Sequence, residues 1–166
     1  MSITQHLAQF LADTTFEDLP SQVVDNSKLA IVDTIASALA GDSAPSVNIV
    51  RKLALDRGGK AESTLWGNCH GKVPTSSAAW VNGVLTDAMA FTESHSPTIA
   101  HLCGAIVPAT TAVAERDRVT GKSLILSVAL GYEAAGRIGK SISPDYMYAL
   151  GFHNAIVSIL GSAVGV

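Results

Sequence analysis

Apolar residues recur at three- and four-residue intervals from Ile3 almost to Val166, and Ser, Thr, Gly and Pro cut that pattern into lengths suited to helices. A chain patterned in this way must hide one stripe of each helix against another, which predicts a helical bundle with short connections. Ile3, Leu7, Phe10 and Leu11 form the stripe of a first helix, Ile3 to Ala12. Ser21 suits the N-cap of a second, which runs through Leu39 and closes at Gly41. Val24, Leu29, Ile31, Val32, Ile35 and Leu39 give that helix a broad apolar surface. A third opens at Ser46 with Val47, Val50, Leu53 and Ala54 inward, leaves Arg51, Lys52 and Asp56 to solvent, and stops at Gly58-Gly59.

Thr64-Leu65-Trp66, followed by Gly67 and Gly71, reads as a strand or an extended link. Pro74 then starts the helix that carries Trp80 to Phe91, and Pro97 sits in the loop after it. The next helix runs from about Cys103 to Val119, indented by Pro108. Thr120 caps a long one from Lys122 to about Ile142, which Ser143-Pro144 ends, and a last helix begins near Gly151 or Phe152. The expected fold is therefore all-α, a bundle of about six to seven helices in a single domain over residues 1–166.

Composition narrows the partners. Only 15% of the 166 residues are charged while 48% are hydrophobic, against about 25% charged in ordinary domains. Much of the surface should be covered by a partner subunit, a further domain or a membrane. The net charge of -3 and the lack of any Lys/Arg cluster argue against nucleic acid. Cys69 and Cys103 form no CxxC pair and suggest free thiols in a reducing compartment. The N-terminus has no basic region of the secretory kind. Tyr146 to Val166 lacks any Lys, Arg, Asp or Glu, but Gly151, His153 and Asn154 interrupt it, so it reads as a buried core helix rather than a membrane span. An apolar helical run reaching Val166 without a cap suggests a fragment of a longer protein, or an end covered by a partner.

Against this apolar background the loop between Trp80 and Pro108 stands out, because it carries Glu93, His95 and His101. Helices can bury themselves with Leu, Ala and Val alone, so a carboxylate and two imidazoles fit acid–base chemistry, although from spacing alone a polar loop that happens to contain them is the simpler reading. His-x5-His with a nearby Glu is not a zinc spacing, and no HExxH or CxxC supports a metal. His153, in Gly-Phe-His-Asn, fits either a helix cap or a second acid–base or anion-binding group. Glu133 and Arg137 are an i,i+4 pair, most simply a helix-stabilising ion pair, with a substrate carboxylate as the other use of Arg137. Asp33-Thr34 reads as a buried polar anchor. Cys103 is a nucleophile candidate beside His101 or, more simply, a small packed residue.

The same segments resemble the MmgE/PrpD family. The matching pieces, in order, are Ile31-Val32-Asp33-Thr34-Ile35 with Ala40-Gly41, Ala79-Trp80-Val81-Asn82-Gly83, and His101-Leu102-Cys103-Gly104-Ala105-Ile106-Val107-Pro108-Ala109 with Ala114-Glu115. Gly121-Lys122, Gly131-Tyr132-Glu133, Arg137-Ile138-Gly139 and Gly151-Phe152-His153 complete them. The resemblance implies the N-terminal portion of a larger helical domain, a second, smaller α+β domain beyond it, an active site between the two, and a cytoplasmic homodimer. It implies a lyase or isomerase, 2-methylcitrate dehydratase-like, acting on a small di- or tricarboxylate by proton transfer next to a carboxylate, with no metal or organic cofactor. The runner-up reading is a truncated, catalytically degenerate helical module for dimerisation or interaction.

Residue by residue, the resemblance makes His101 the principal proton-transfer group. His153 assists in proton transfer or binding, with Glu93 or His95 in support. The family's Asp-Phe-Asp-Asp-Thr-His run falls on Ala90-Phe91-Thr92-Glu93-Ser94-His95, so the leading catalytic Asp is Ala90 here and only Glu93 keeps a carboxylate.

Overall fold

The computed structural model describes residues 2–68, 71–142, 144–153 and 155–166. Among them run eight α-helices: α1 (Ile3–Asp13), α2 (Ser21–Gly41), α3 (Pro45–Arg57), α4 (Thr75–Asp87), α5 (Cys103–Asp117), α6 (Gly121–Ile142), α7 (Pro144–Ala149) and α8 (Ile156–Gly165). A single small antiparallel hairpin joins them, β1 (Ser63–Thr64) against β2 (Lys72–Val73), with Ser63 opposite Val73 and Thr64 opposite Lys72. The fold is all-α, as the periodicity requires. Cys69, Ser143 and Asn154, which enter the sequence reading, lie outside the described residues.

The local signals explain most boundaries. Ser2 caps α1 and Gln5 reaches back to the Ser2 amide, so two otherwise unpaired N–H groups are satisfied reciprocally. Pro45 opens α3, where its missing N–H costs nothing, and Gly58 ends it at φ +60°. The Thr120 hydroxyl accepts from the Ser123 amide at the start of α6. Pro108 lies inside α5, fully within the core.

Three boundaries or faces differ from the sequence reading. α4 ends at Asp87, not at Phe91, and the chain turns away through Ala90 in the left-handed region at φ +50°. α8 begins at Ile156, not near Gly151: Gly151 is left-handed at φ +79°, and a turn separates α7 from α8. The large apolar residues of α2 are divided: Val24, Ile31 and Ile35 are half-buried, with Ile31 packed against the core. Leu29, Val32 and Leu39 are all more than half exposed, and Ser27, Thr34, Ser37, Ala38 and Gly41 are buried instead. Small residues win that face because α2 lies hard against α4, where a Cβ on Gly41 would stand 2.3 Å from the Leu85 carbonyl oxygen. On α3, likewise, Val47 and Ala54 are buried while Leu53 is exposed. Thr34 is a buried anchor, its hydroxyl donating to the Ala30 carbonyl, but Asp33 beside it is exposed.

α4 and α5 form the centre. Around α4 the core is Ala38, Val47, Leu65, Val73, Val81 and Leu85. Between α5, α6 and α8 it is Leu102, Ile106, Ala135, Met147 and Val157. Burying such side chains contributes about 1.5–3 kcal/mol for each larger one. α6 and α8 cross at two glycines, where a Cβ on Gly161 would meet the Gly131 carbonyl oxygen at 2.5 Å. No described helix is long and apolar enough to cross a membrane.

Candidate active site

The cleft that gathers the chemistry is bounded by the C-terminal end of α4, the N-terminal end of α5 and the turn into α8, and encloses about 1130 Å³. His101, His153, Asp87 and Ala90 line it, with Trp80, Ile156 and Ile159 as apolar wall. Its floor is thin: a Cβ on Gly83 of α4 would stand 2.9 Å from the Gly104 carbonyl oxygen of α5, so only Gly lets the two helices meet there.

His101 lies one residue before the Cys103 start of α5, separated from it by the N-cap Leu102, and Ser158 of α8 donates to its carbonyl at 3.4 Å. Its ring Nδ1 lies 2.8 Å from the Glu93 carbonyl oxygen. A carbonyl can only accept, so Nδ1 carries the hydrogen and the neutral ring presents a bare lone pair at Nε2. His153 is held the opposite way. The Ala155 amide donates to its Nδ1 at 3.1 Å, so the neutral ring carries its hydrogen at Nε2. Both rings are exposed, and both bonds are made to backbone groups. Two histidines in one cleft are thus fixed as complementary tautomers, one a proton acceptor and the other a donor.

Glu93 is not among the residues lining the cleft. Its carboxylate Oε1 accepts from the Cys103 amide at 3.0 Å, across the first turn of α5, and from the Tyr132 hydroxyl of α6 at 2.9 Å. A carboxylate at a helix N-terminus is favoured by the unpaired amides and the helix dipole. The side chain therefore ties the loop to two helices while its own main-chain carbonyl holds His101. Burial, then the neighbouring Glu93, pushes the Cys103 thiol far above its ordinary range, which rules against the nucleophile and for the packed reading. Burial and Glu93 likewise push the Tyr132 phenol up, so it stays a donor.

His95 and Arg137 are not among the residues lining the cleft. His95 closes its own loop: its amide donates to the Ala100 carbonyl at 2.9 Å and its Nδ1 pairs with the buried Thr98 hydroxyl at 2.8 Å. Arg137 forms the ion pair with Glu133 that its spacing predicts, and its guanidinium lies 5.1 Å over the Phe10 ring, in a separate groove between α1 and α6. Among the described residues no three His, Cys, Asp or Glu side chains are grouped closely enough to share a metal ion.

Sequence reasoning passed over Asn82 and Asp87. Asn82 is almost wholly buried; it accepts from the Trp66 amide at 2.9 Å and donates to the Thr64 carbonyl at 3.0 Å, pinning the hairpin to α4. A lone Asn in an apolar helix was the available signal. Asp87 reads as an exposed helix-end charge until the fold brings it to the cleft.

Comparison with known proteins places these features in context. The family model described as the MmgE/PrpD N-terminal domain matches residues 5–166. The human protein named cis-aconitate decarboxylase is 29% identical over 98% of this chain, and the mouse protein of that name 27% identical over 98%. The Aspergillus terreus protein of the same name is 25% identical over 91%. The chain spans about a third of the length of these relatives, 34%, 34% and 32% respectively.

Proposed function

The chain belongs to the MmgE/PrpD family, and from that premise we propose that the full-length protein is a lyase that decarboxylates a small tricarboxylate of the cis-aconitate kind. The observation that carries this reading is the pair of oppositely fixed histidines, His101 and His153, in one cleft. The names of the relatives favour decarboxylation over the dehydration and epimerisation that the resemblance also allows.

The chemistry follows from the tautomers. In decarboxylation the bond from carbon to the departing carboxylate breaks, CO2 leaves, its bonding pair stays on the carbon framework, and a proton must be added there. His101 can load a proton only at Nε2, since Nδ1 is committed to the Glu93 carbonyl, and it delivers that proton from the same atom. His153 offers Nε2–H to a substrate carboxylate and holds the charge that builds during the step. Glu93 is a positioning residue. His95 and Arg137 serve the loop and the α1–α6 groove in this reading, not the substrate.

The cleft is open, with Trp80, Ile156 and Ile159 exposed around it. Further chain, absent from these 166 residues, would close it and supply the cationic contacts for a polyanion. The same reading takes the protein to the cytoplasm as a homodimer, supported by the free Cys103 thiol and the apolar residues exposed on α2. A second reading, an interaction module without turnover, is favoured by one observation: Ala90 lines the cleft where the family carries an acid.

Assaying the full-length protein on cis-aconitate separates the two. Turnover should be readily measured, and His101→Ala should cut kcat by about 100-fold or more at unchanged melting temperature. No turnover in the wild-type protein, or full turnover in the variant, overturns the catalytic reading. The isolated 166-residue chain should show none.

A further inference from the structure

We infer that Tyr132 of α6 is a positioning residue for His101 and acts on it through Glu93. The assignment rests on the catalytic reading above and deepens it.

Hydrogen bonds run in a line from the core to the cleft. The Tyr132 hydroxyl donates to Glu93 Oε1 at 2.9 Å, the Cys103 amide donates to the same oxygen at 3.0 Å, and the Glu93 carbonyl accepts from His101 Nδ1 at 2.8 Å. Tyr132 is not among the residues lining the cleft, so it reaches the chemistry only through Glu93. Its ring packs against two core clusters, one around Ile106 and Val157 and the other around Val107 and Val128. The hydroxyl is thus carried by a well-packed part of the molecule. Burial, then the neighbouring Glu93 charge, pushes the phenol up and keeps its hydrogen in place.

Little else fixes Glu93. Residues 91–94 lie in neither helix nor strand, and left-handed Ala90 and Ile99 stand on either side of them. Glu93 Oε2 is buried without a partner, and so is the Thr92 hydroxyl. Among the described residues, the one further hydrogen bond to this stretch runs from the Ser37 hydroxyl to the Phe91 carbonyl, at 3.3 Å. Oε1 therefore carries the whole hold on the side chain, shared between one amide and one phenol. The amide belongs to the backbone of α5. The phenol is the half that a substitution can remove.

Tyr132→Phe keeps the ring and its packing and takes away that donor. A carboxylate held by a single bond in a buried place moves toward water to recover its solvation. The Glu93 carbonyl moves with it, and the His101 ring is released to take either tautomer. The share of rings with a bare Nε2, the form that loads and delivers the proton, then falls.

The test uses the full-length protein with cis-aconitate, below the melting temperature of every variant. Tyr132→Phe should lower kcat by about 10-fold and change KM by less than about two-fold, because the lost bond acts on the proton-transfer group and not on bound substrate. Glu93→Ala should give a similar loss, and adding Tyr132→Phe to it should cost no more than about two-fold further. Full kcat in Tyr132→Phe, or losses that multiply to about 100-fold in the double variant, overturns the inference. Nitrogen NMR of histidine-labelled protein reads the tautomer without turnover, with His101 assigned by its loss in His101→Ala. His101 should carry its hydrogen on Nδ1 in the wild-type protein and divide it between the two nitrogens in Tyr132→Phe. A variant that melts lower but keeps the Nδ1 tautomer assigns Tyr132 to stability alone and also overturns the inference. The two readings fail separately. Turnover left intact in His101→Ala, or a hydrogen on Nε2 of the wild-type ring, overturns the catalytic reading. Full kcat in a folded Tyr132→Phe leaves that reading standing.

Discussion

The same two helices end in two different kinds of polar site. α4 runs from the hairpin to the cleft and α5 runs back. At the hairpin end, Asn82 bonds the Trp66 amide and the Thr64 carbonyl, and Glu115 accepts from the Thr64 amide at 2.7 Å and its hydroxyl at 2.6 Å while pairing with Lys72. Ser63, fully buried, donates to the Ala112 carbonyl at 2.6 Å. At the cleft end, His101 and His153 each spend one ring nitrogen on a backbone group and leave the other toward the open space. The difference teaches how to tell a structural polar group from a chemical one here. The structural groups named here have a partner at every polar side-chain atom, whereas the histidines are oriented by one bond and unfinished at the second atom.

That contrast can be broken from either end. The largest stability effect belongs to the hairpin end. Asn82→Ala strips partners from a part-buried amide and a part-buried carbonyl, and should cost about 2–3 kcal/mol in denaturant unfolding. The folded fraction of the full-length variant should keep its kcat. A loss of kcat that outruns the loss of folded protein would show that the two ends are not separable.

A smaller effect is expected at Glu93, which belongs to both descriptions. Glu93→Gln keeps an acceptor for the Cys103 amide and loses the charge at the α5 N-terminus, so stability should fall by about 0.5–1 kcal/mol. Its main-chain carbonyl still holds His101, so kcat should fall less than in His101→Ala. A loss equal to that of His101→Ala would place the Glu93 carboxylate in the chemistry.

The smallest effect is a pH slope. Burial tends to raise the Asp42 carboxyl, but its bonds to Arg51 and Asn68 outweigh burial and hold it below the ordinary carboxylate range. Burial likewise opposes, and Lys72 and Thr64 outweigh it, at Glu115. In each case the folded value lies below the unfolded one, so the unfolded chain binds more protons in acid. The stabilisation is whole above about pH 5 and is lost as pH falls through the lowered folded value. Asp42→Asn should flatten that acid limb in thermal unfolding, without altering the activity profile near neutrality.

Much of the fold was legible because a helix writes its period into the sequence. Gly41, Gly58 and the Thr120 cap mark ends where the structure has them. Periodicity shows which residues share a stripe but not which stripe faces inward. On α2 the small residues Ser37, Ala38 and Gly41 are buried and Leu29 and Val32 are outside, because close approach to α4 excludes bulk. The end of α4 was illegible for a related reason. Ala88-Met89-Ala90 are good helix formers, and nothing local announces a left-handed Ala90. In the site, His101 and Glu93 were visible as residue types, but no spacing rule joins His101 to His153 across α5, α6 and α7. The direction of the Glu93 side chain depends on Tyr132, 39 positions later.

The crossing of α6 and α8 has one further consequence. Carbonyl oxygens of Gly131 and Gly161 sit where the other glycine's side chain would be, 2.5 and 2.9 Å respectively from a would-be Cβ. One methyl group at either position would shift α8 outward by roughly 1 Å to restore ordinary contact. His153 precedes α8 and would travel with it, away from His101, which is anchored at α5. The span between His101 and His153 across the cleft is therefore set by two hydrogen atoms outside it. The width of a cleft built this way can drift through a helix crossing without any change in the residues that line it.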